Sequence, residues 1–390
     1  MSIVRIFILF VGIFGLCSGR ELRFVQAIWR HGDRAPSDSP YPNDKYDESY
    51  WPMGWSQLTE LGAKQMEELG AFFRSRYANT FVNSTFKARE VFVQSSDADR
   101  ALSSAQAFLN GMFRLNDCGS DRRPAPIPVH STGVGIDDFL LKPTSADCPV
   151  YDRYFETSSA DLLTSLAQDY KNLYEFLGNV TGFGPNITTD QVAGINAIQR
   201  EIIHNLTQPS WIYKIWPEYN NSTTLELVRK IDQETRINEF DDDKLSKLRG
   251  GYLLGDWLSR ARKVANGSQR EPSKMMLYSS HDGTLLSLLY SLDVGDGEQV
   301  PYAAAVIMEI YESDSGRFEA EIYYRKNRQL LRKTVPGCSQ ICEVQKLTEL
   351  LDNNAVYNYN DAEKQCKVKK EQEKKKEDSS SSEHQDSEEN

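Results

Sequence analysis

The chain is 390 residues long, with a formal net charge of −11, 39% hydrophobic and 11% aromatic residues. That length supports one large domain, or two intimately packed ones, with a proper core. The acidic excess, with no Lys/Arg-rich face inside the fold, argues against nucleic acid or a polyanionic surface as the main partner.

Residues 1–19 predict a cleaved secretory signal: Arg5 precedes an apolar stretch over 6–16, and Cys17-Ser18-Gly19 fits a signal-peptidase site. That stretch is shorter than the roughly 20 residues a membrane span needs, and no later segment reads as one. A protein without a membrane span, secreted or held in the lumen of an acidic compartment, is expected. Residues 22–29 read as a short buried strand that stops at Arg30-His31-Gly32-Asp33-Arg34-Ala35-Pro36. A strand ending at a Gly/Pro turn presents its last side chains at a sheet edge, where α/β proteins bind ligands. His31 is a nucleophile if one ring nitrogen is free and a hydrogen bond fixes the other, and flanking guanidiniums favour that neutral form. Arg30 and Arg34 offer planar forks that match phosphoryl oxygens. Gly32 is expected to let the backbone approach a ligand, and Asp33 to orient guanidiniums.

Residues 90–94 predict a second strand, running through Ser95-Ser96-Asp97-Ala98-Asp99-Arg100 into a helix over 101–113. Arg100 then sits in a first helical turn, where positive charge opposes the macrodipole and requires an anion or a carboxylate. Residues 127–131 are a further strand candidate. Between 151 and 248 the pattern turns helical, with stretches at 162–177, 193–206 and 225–236, which predicts an α-helical cap inserted into an α/β core of 20–150 and 249–345. Trp211, Tyr213, Trp216 and Tyr219 lie in this cap and read mainly as its core, with a leaving group as their other use. His130 and His204 read as structural. Residues 274–279 form a third apolar strand, followed by Ser280-His281-Asp282-Gly283-Thr284 and a helix over 285–292. His281 can donate to a phosphate oxygen, and Asp282 can protonate a leaving alkoxide if a crowded anionic site keeps it protonated. Residues 304–312 and 317–325 alternate well and predict a hairpin. The segment 346–366 closes the folded part, and the Lys/Glu and serine blocks of 367–390 predict a disordered charged tail.

Asn83, Asn179, Asn186, Asn205, Asn220, Asn221 and Asn266 each head a glycosylation triplet, so the region between Asn179 and Asn266 is expected to be largely surface. Without the signal five cysteines remain, Cys118, Cys148, Cys338, Cys342 and Cys366, and arithmetic does not choose their pairing. Cys338 and Cys342 make a poor zinc site, which needs four ligands.

The heptapeptide Arg30–Pro36, the Asp97-Ala98-Asp99-Arg100 turn and the later His281-Asp282 occur in the order that resembles a secreted animal histidine acid phosphatase, the acid phosphatase branch of the histidine phosphatase superfamily, over about residues 22–366. The resemblance implies a mixed, mostly parallel sheet with helices on both faces plus an inserted α-helical cap. It also implies hydrolysis of small phosphomonoesters with no metal or organic cofactor. His31 would be the nucleophile, Arg30, Arg34, Arg100 and His281 the phosphate-binding cluster, and Asp282 the proton donor. Disulfides Cys148–Cys366 and Cys338–Cys342 are implied, the first stapling the C-terminal segment to the middle of the chain, with Cys118 left over; a homodimer is a further expectation. The apolar C-terminal anchor of lysosomal members has no counterpart in this sequence. Gly283 departs from similar phosphatases, which often carry threonine there, and is expected to leave the chemistry unchanged. Rival readings are a phytase or lysophosphatidate phosphatase of the same superfamily, a phosphoglycerate mutase, and a secreted glycoprotein with a mainly binding role. The signal and the sequons oppose the mutase, and the complete set of reactive residues disfavours the pure binder. A highly phosphorylated substrate would require extra positive charge around the pocket, and none is visible by sequence proximity.

Overall fold

The computed structural model describes residues 19–113 and 126–367. Of the expected signal only Gly19, and of the expected tail only Lys367, are among them; Cys118 is not. In chain order the first core elements are β1 (Arg20–Arg30), α1 (Glu60–Tyr77), β2 (Val91–Ser95), α2 (Asp99–Phe113) and β3 (His130–Ser131). A helical stretch follows: α3 (Pro149–Asp169), α4 (Lys171–Thr181), α5 (Thr189–Gly194), α6 (Ile198–Ile203), a small hairpin of β4 (Ile215–Trp216) and β5 (Ser222–Thr223), and α7 (Thr224–Asn238). The chain returns through α8 (Asp243–Ala265), β6 (Met275–Ser280), α9 (Asp282–Ser291), β7 (Ala305–Ser313), β8 (Phe318–Lys326), β9 (Gln329–Lys333), β10 (Cys342–Glu343), α10 (Val344–Leu351) and α11 (Tyr359–Cys366).

The main sheet has the order β10-β8-β7-β1-β6-β2-β3, with β9 on the side of β8. Strands β1, β6, β2 and β3 pair in parallel, and β7 onward extends the sheet in antiparallel fashion, so the expected mixed α/β sheet is present. Alternation along β1 explains why both faces are covered. Val25, Ala27 and Trp29 point into a cluster with Met66, Leu69 and Phe73 of α1 and Phe108 of α2. Phe24 and Ile28 point the other way, to Leu253, Leu254 and Trp257 of α8 and Leu285 of α9. Each large apolar side chain so buried contributes about 1.5–3 kcal/mol. Gln26, polar and fully buried, is satisfied by Trp257 O at 3.0 Å and Arg260 Nη1 at 2.9 Å.

The helical stretch has its own core, built on Leu173, Leu177, Val192, Ile198, Ile212, Trp216, Val228 and Ile231. Its elements are more broken than their periodicity predicts. The expected helix over 162–177 is divided at Tyr170, and the one over 193–206 is α5 and α6 joined by a 3₁₀ turn at Ile195–Ala197. The expected boundary at 248 falls inside α8, which starts at an Asp242 N-cap and then runs unbroken under the sheet. The strand expected over 127–131 is ordered as sheet only at His130 and Ser131, opposite Gln94 and Ser95. Trp216 is buried and Trp211 and Tyr219 pack against the cap core, whereas Tyr213 is exposed. Both disulfides implied by the resemblance are formed, Cys148–Cys366 and Cys338–Cys342. Among the described residues no helix is long and apolar enough to cross a membrane.

Candidate active site

Three adjacent parallel strands, β1, β6 and β2, end at one edge of the sheet, and each passes into a turn that carries reactive side chains. The ladder continues one residue past the strands: His31 N donates to Ser280 O at 2.9 Å and Ser96 N to Ser279 O at 3.0 Å. Backbone hydrogen bonds thereby set the three turns in fixed register, which a charged cluster needs if its groups repel one another in the absence of ligand.

His31 is 2% exposed. Its Nδ1 lies 2.8 Å from Gly32 O, an acceptor only, so Nδ1 carries the proton and Nε2 the free electron pair. Burial, then Arg30, His281 and Arg100, hold the ring well below the usual histidine range, so it is neutral and nucleophilic. Arg100 Nε donates to that Nε2 at 3.2 Å. A bound phosphoryl oxygen would draw this donor away and release the electron pair. Arg30 is held by Val300 O at 2.5 Å and lies over the Tyr302 ring at 4.1 Å, while its Nε is buried without a partner. Arg34 donates to Ala35 O at 2.7 Å and Ser37 Oγ at 3.1 Å. Burial and the neighbouring cations Arg200, Arg100 and Arg30 lower its guanidinium to about 10, and Arg100 is lowered for the same reasons. Arg100 is in the first turn of α2 as expected, and it forms no ion pair with Asp97 or Asp99; Asp99 instead accepts from Gln57. His281 is fixed by Ser96 Oγ at 2.8 Å from its Nε2, and burial with Arg100 lowers its pKa to about 3. Asp282 opens α9, 3.9 Å from Arg30 Nε through Oδ1.

The residues expected at the site are thus together: one free imidazole nitrogen, three arginines, a second histidine and a carboxyl group. The sequence model of the histidine phosphatase superfamily (branch 2) matches residues 21–332. The lysosomal acid phosphatase of Xenopus laevis is 33% identical over 345 residues, 86% of this chain and 77% of that protein. The prostatic acid phosphatase of Bos taurus is 34% identical over 344 residues, 85% of each. The chain belongs to branch 2 of the histidine phosphatase superfamily. Within it, this histidine phosphatase falls in the acid phosphatase family. Its fold is shared by the Hafnia alvei phytase, with a TM-score of 0.64 at 14% identity over 90% of this chain and 99% of that one.

Several site residues of this histidine phosphatase differ from the sequence expectation. A Cβ on Gly32 would meet Gly62 O of α1 at 2.2 Å, so close packing of the turn against α1 requires a glycine here. Asp33 touches no guanidinium. It is fully buried and accepts from Thr59 Oγ1 at 2.6 Å and His204 Nε2 at 2.7 Å, joining the β1 turn to the α1 N-cap and to the end of α6. His204 is accordingly structural, as is His130, which stacks on Phe92 at 4.4 Å. The free site is cationic and not anionic. Although burial disfavours its charge, Arg236 and Arg30 hold Asp282 well below the usual carboxylate range, so crowding does not keep it protonated.

Three residues were not legible as site residues. Arg236 of α7 donates to Asp282 Oδ2 from Nε at 3.2 Å and Nη2 at 2.8 Å. Arg200 of α6 donates to Tyr302 OH at 2.9 Å and acts on both Arg34 and Arg100. Tyr302 faces His31 with ring centroids 5.8 Å apart. Extra positive charge therefore does surround the pocket; helices distant in sequence supply it.

Proposed function

We propose that this acid phosphatase hydrolyses phosphate monoesters in two steps through a phosphohistidine on His31. The observation that supports it is the tautomer: Gly32 O holds the Nδ1 proton, and Nε2 points its electron pair into a cluster formed by Arg30, Arg34 and Arg100. In the first step Nε2 bonds to phosphorus while the ester P–O bond breaks. The arginines and His281 stabilise the equatorial oxygens, and Asp282, ionised in the free site and protonated when the bound ester brings its negative charge beside it, gives that proton to the leaving oxygen. In the second, water attacks phosphorus, the P–N bond returns its electrons to Nε2, and Asp282 takes the water proton.

Rapid quenching without acid during turnover should trap alkali-stable, acid-labile phosphate on His31, and His31→Ala should abolish both the adduct and turnover. A chain that turns over substrate without that adduct overturns the covalent reading. The substrate panel includes alkyl, aryl and inositol phosphates and lysophosphatidate, because Arg200 beside Arg34 gives a specific reason to test esters with a second anionic group.

The reading extends to an oxidising compartment. Two disulfides fit such a setting, and the seven sequon asparagines are all exposed. Secretion through the signal at residues 1–19, glycan on several of these sites and a homodimer belong to the same proposal. Glycosidase mobility shifts and sedimentation of the secreted protein test them.

A further inference from the structure

Hydrolysis of a phosphohistidine at acidic pH poses a problem for its base. Asp282 must be a carboxylate when water attacks, yet it faces a newly transferred phosphoryl group whose negative charge favours its protonation. The surroundings of Asp282 answer this with a clamp. Nε and Nη2 of Arg236 both donate to Oδ2, at 3.2 and 2.8 Å, leaving Oδ1 on the side of Arg30. Nη1 of the same guanidinium is held by Glu239 Oε2 at 2.5 Å, so the fork is anchored at its far end. The clamp depends on an absent side chain: a Cβ on Gly283 would lie 2.7 Å from Arg236 Nη2 and 2.8 Å from Thr144 Cγ2.

We propose that Arg236, lodged in the gap that Gly283 leaves, is a positioning residue that keeps Asp282 in its carboxylate form after it has protonated the leaving group and until water attacks, and so sustains turnover in acid. This rests on the two-step reading above and adds a determinant to it. Other titratable groups facing Asp282 are Arg30 from β1, the neutral His31, Arg100 from α2, His281 beside it, and Asp232 and Glu239 from α7 and the residue after it. Asp232 and Glu239 oppose the carboxylate, and Glu239 is itself paired with Arg236. Arg30 and Arg100 are engaged by the phosphoryl group in the intermediate, which leaves Arg236 as the cation dedicated to Asp282. In the step concerned, the water oxygen bonds to phosphorus, the P–N electrons return to Nε2, and one water proton passes to Asp282 Oδ1, which readies it for the next leaving group; until that attack Arg236 opposes uptake of a proton from solvent.

The test uses an aryl phosphate with a good leaving group, so that breakdown of the phosphoenzyme limits kcat. In Arg236→Gln the acid limb of kcat should move up by about 1–3 pH units, with phosphoenzyme accumulating as pH falls. Gly283→Thr removes no charged group but displaces the Arg236 guanidinium, and should shift the limb the same way. Arg236→Lys should restore most of the wild-type limb. An acid limb that stays put in both Arg236→Gln and Gly283→Thr, with kcat lowered equally at all pH, overturns the clamp; Gly283→Thr alone decides if the arginine variant does not fold. The two readings separate cleanly: a wild type that forms no adduct defeats the covalent mechanism, whereas a wild type that forms it beside variants with unmoved limbs defeats the clamp alone.

Discussion

Replacing Gly32 with alanine should cost more activity than stability. The added Cβ would sit 2.2 Å from Gly62 O, and the reciprocal Cβ on Gly62 would sit 2.1 Å from Asp33 O, each more than 1 Å short of ordinary contact. Neither neighbour is a flexible tip. The turn is held by His31 N to Ser280 O at 2.9 Å and Thr59 N to Asp33 O at 3.0 Å, so relief must come from moving α1 and the turn apart. Overpacking of this kind costs about 1–3 kcal/mol, and a backbone clash belongs at the upper end. With an unfolding entropy of about 2.1 cal/mol/K per residue, 3 kcal/mol lowers Tm by only about 4 °C in a chain of this size. A displacement of about 1 Å at the nucleophile, however, costs about 10²-fold in rate. The control is Gly70→Ala, whose Cβ would meet Phe108 O at 2.0 Å, an equal clash in the α1/α2 contact. Phe108 is eight residues beyond Arg100, about 12 Å along α2. Thermal melts and kcat on the same aryl phosphate give both quantities. The reasoning fails if Gly32→Ala keeps kcat within about threefold of wild type, or if Gly70→Ala loses as much activity as Gly32→Ala.

Other expectations follow from single contacts. Ser96→Ala removes the 2.8 Å partner of His281 Nε2 and should lower kcat/KM about tenfold with little change in Tm, since one hydrogen bond is worth about 1–1.5 kcal/mol; unchanged kinetics would show that the ring is held by packing alone. Glu201 is fully buried, its Oε1 and Asp44 Oδ2 are both buried without a hydrogen-bond partner, and burial with Asp44 raises Glu201 to about 8. A carboxyl group raised in the folded state stabilises the fold fully below its unfolded value near 4.5 and loses that contribution as pH climbs toward 8. Urea midpoints should therefore fall between those pH values in the wild type and flatten in Glu201→Gln; parallel curves would remove Glu201 as the cause. Cys148–Cys366 closes a span of 218 residues and Cys338–Cys342 one of 4. Chain entropy gives about 5 and about 2 kcal/mol respectively, so the double serine variant of the long bridge should unfold at clearly lower urea than that of the short one.

Strand ends and turn residues were readable because they follow local rules. A β-rich run of five to eight residues that gives way to a turn of small and polar residues fixes where side chains emerge, and β1, β2 and β6 each ended within one residue of expectation. His31, Arg100 and His281 could be found from those ends. Arg236 and Arg200 could not, because each lies in a helix whose periodicity reports only which face is apolar, and a polar face pointing to solvent looks the same as one pointing to a neighbouring site. Asp33 was misread for a related reason. Its partners Thr59 and His204 are 26 and 171 residues away, whereas the arginines beside it in sequence point elsewhere. The break at Tyr170 was missed because no proline or glycine marks it, and that at Ile195–Ala197 because the lone Gly194 before it does not interrupt the apolar repeat. Gly283 shows the opposite case: the departure from similar phosphatases was visible, but its use was not, since the atom it avoids belongs to Arg236.

The bridge from Cys148 to Cys366 joins the residue just before α3 to the last residue of α11. Everything between, the helical cap and the strands that carry His281 and Asp282 included, forms one covalent ring. A protease that cuts any exposed cap loop opens the ring without releasing a piece. The nicked molecule keeps both halves of its active site on one covalent frame, runs as a single species until it is reduced, and tolerates digestion that would dismantle a linear chain.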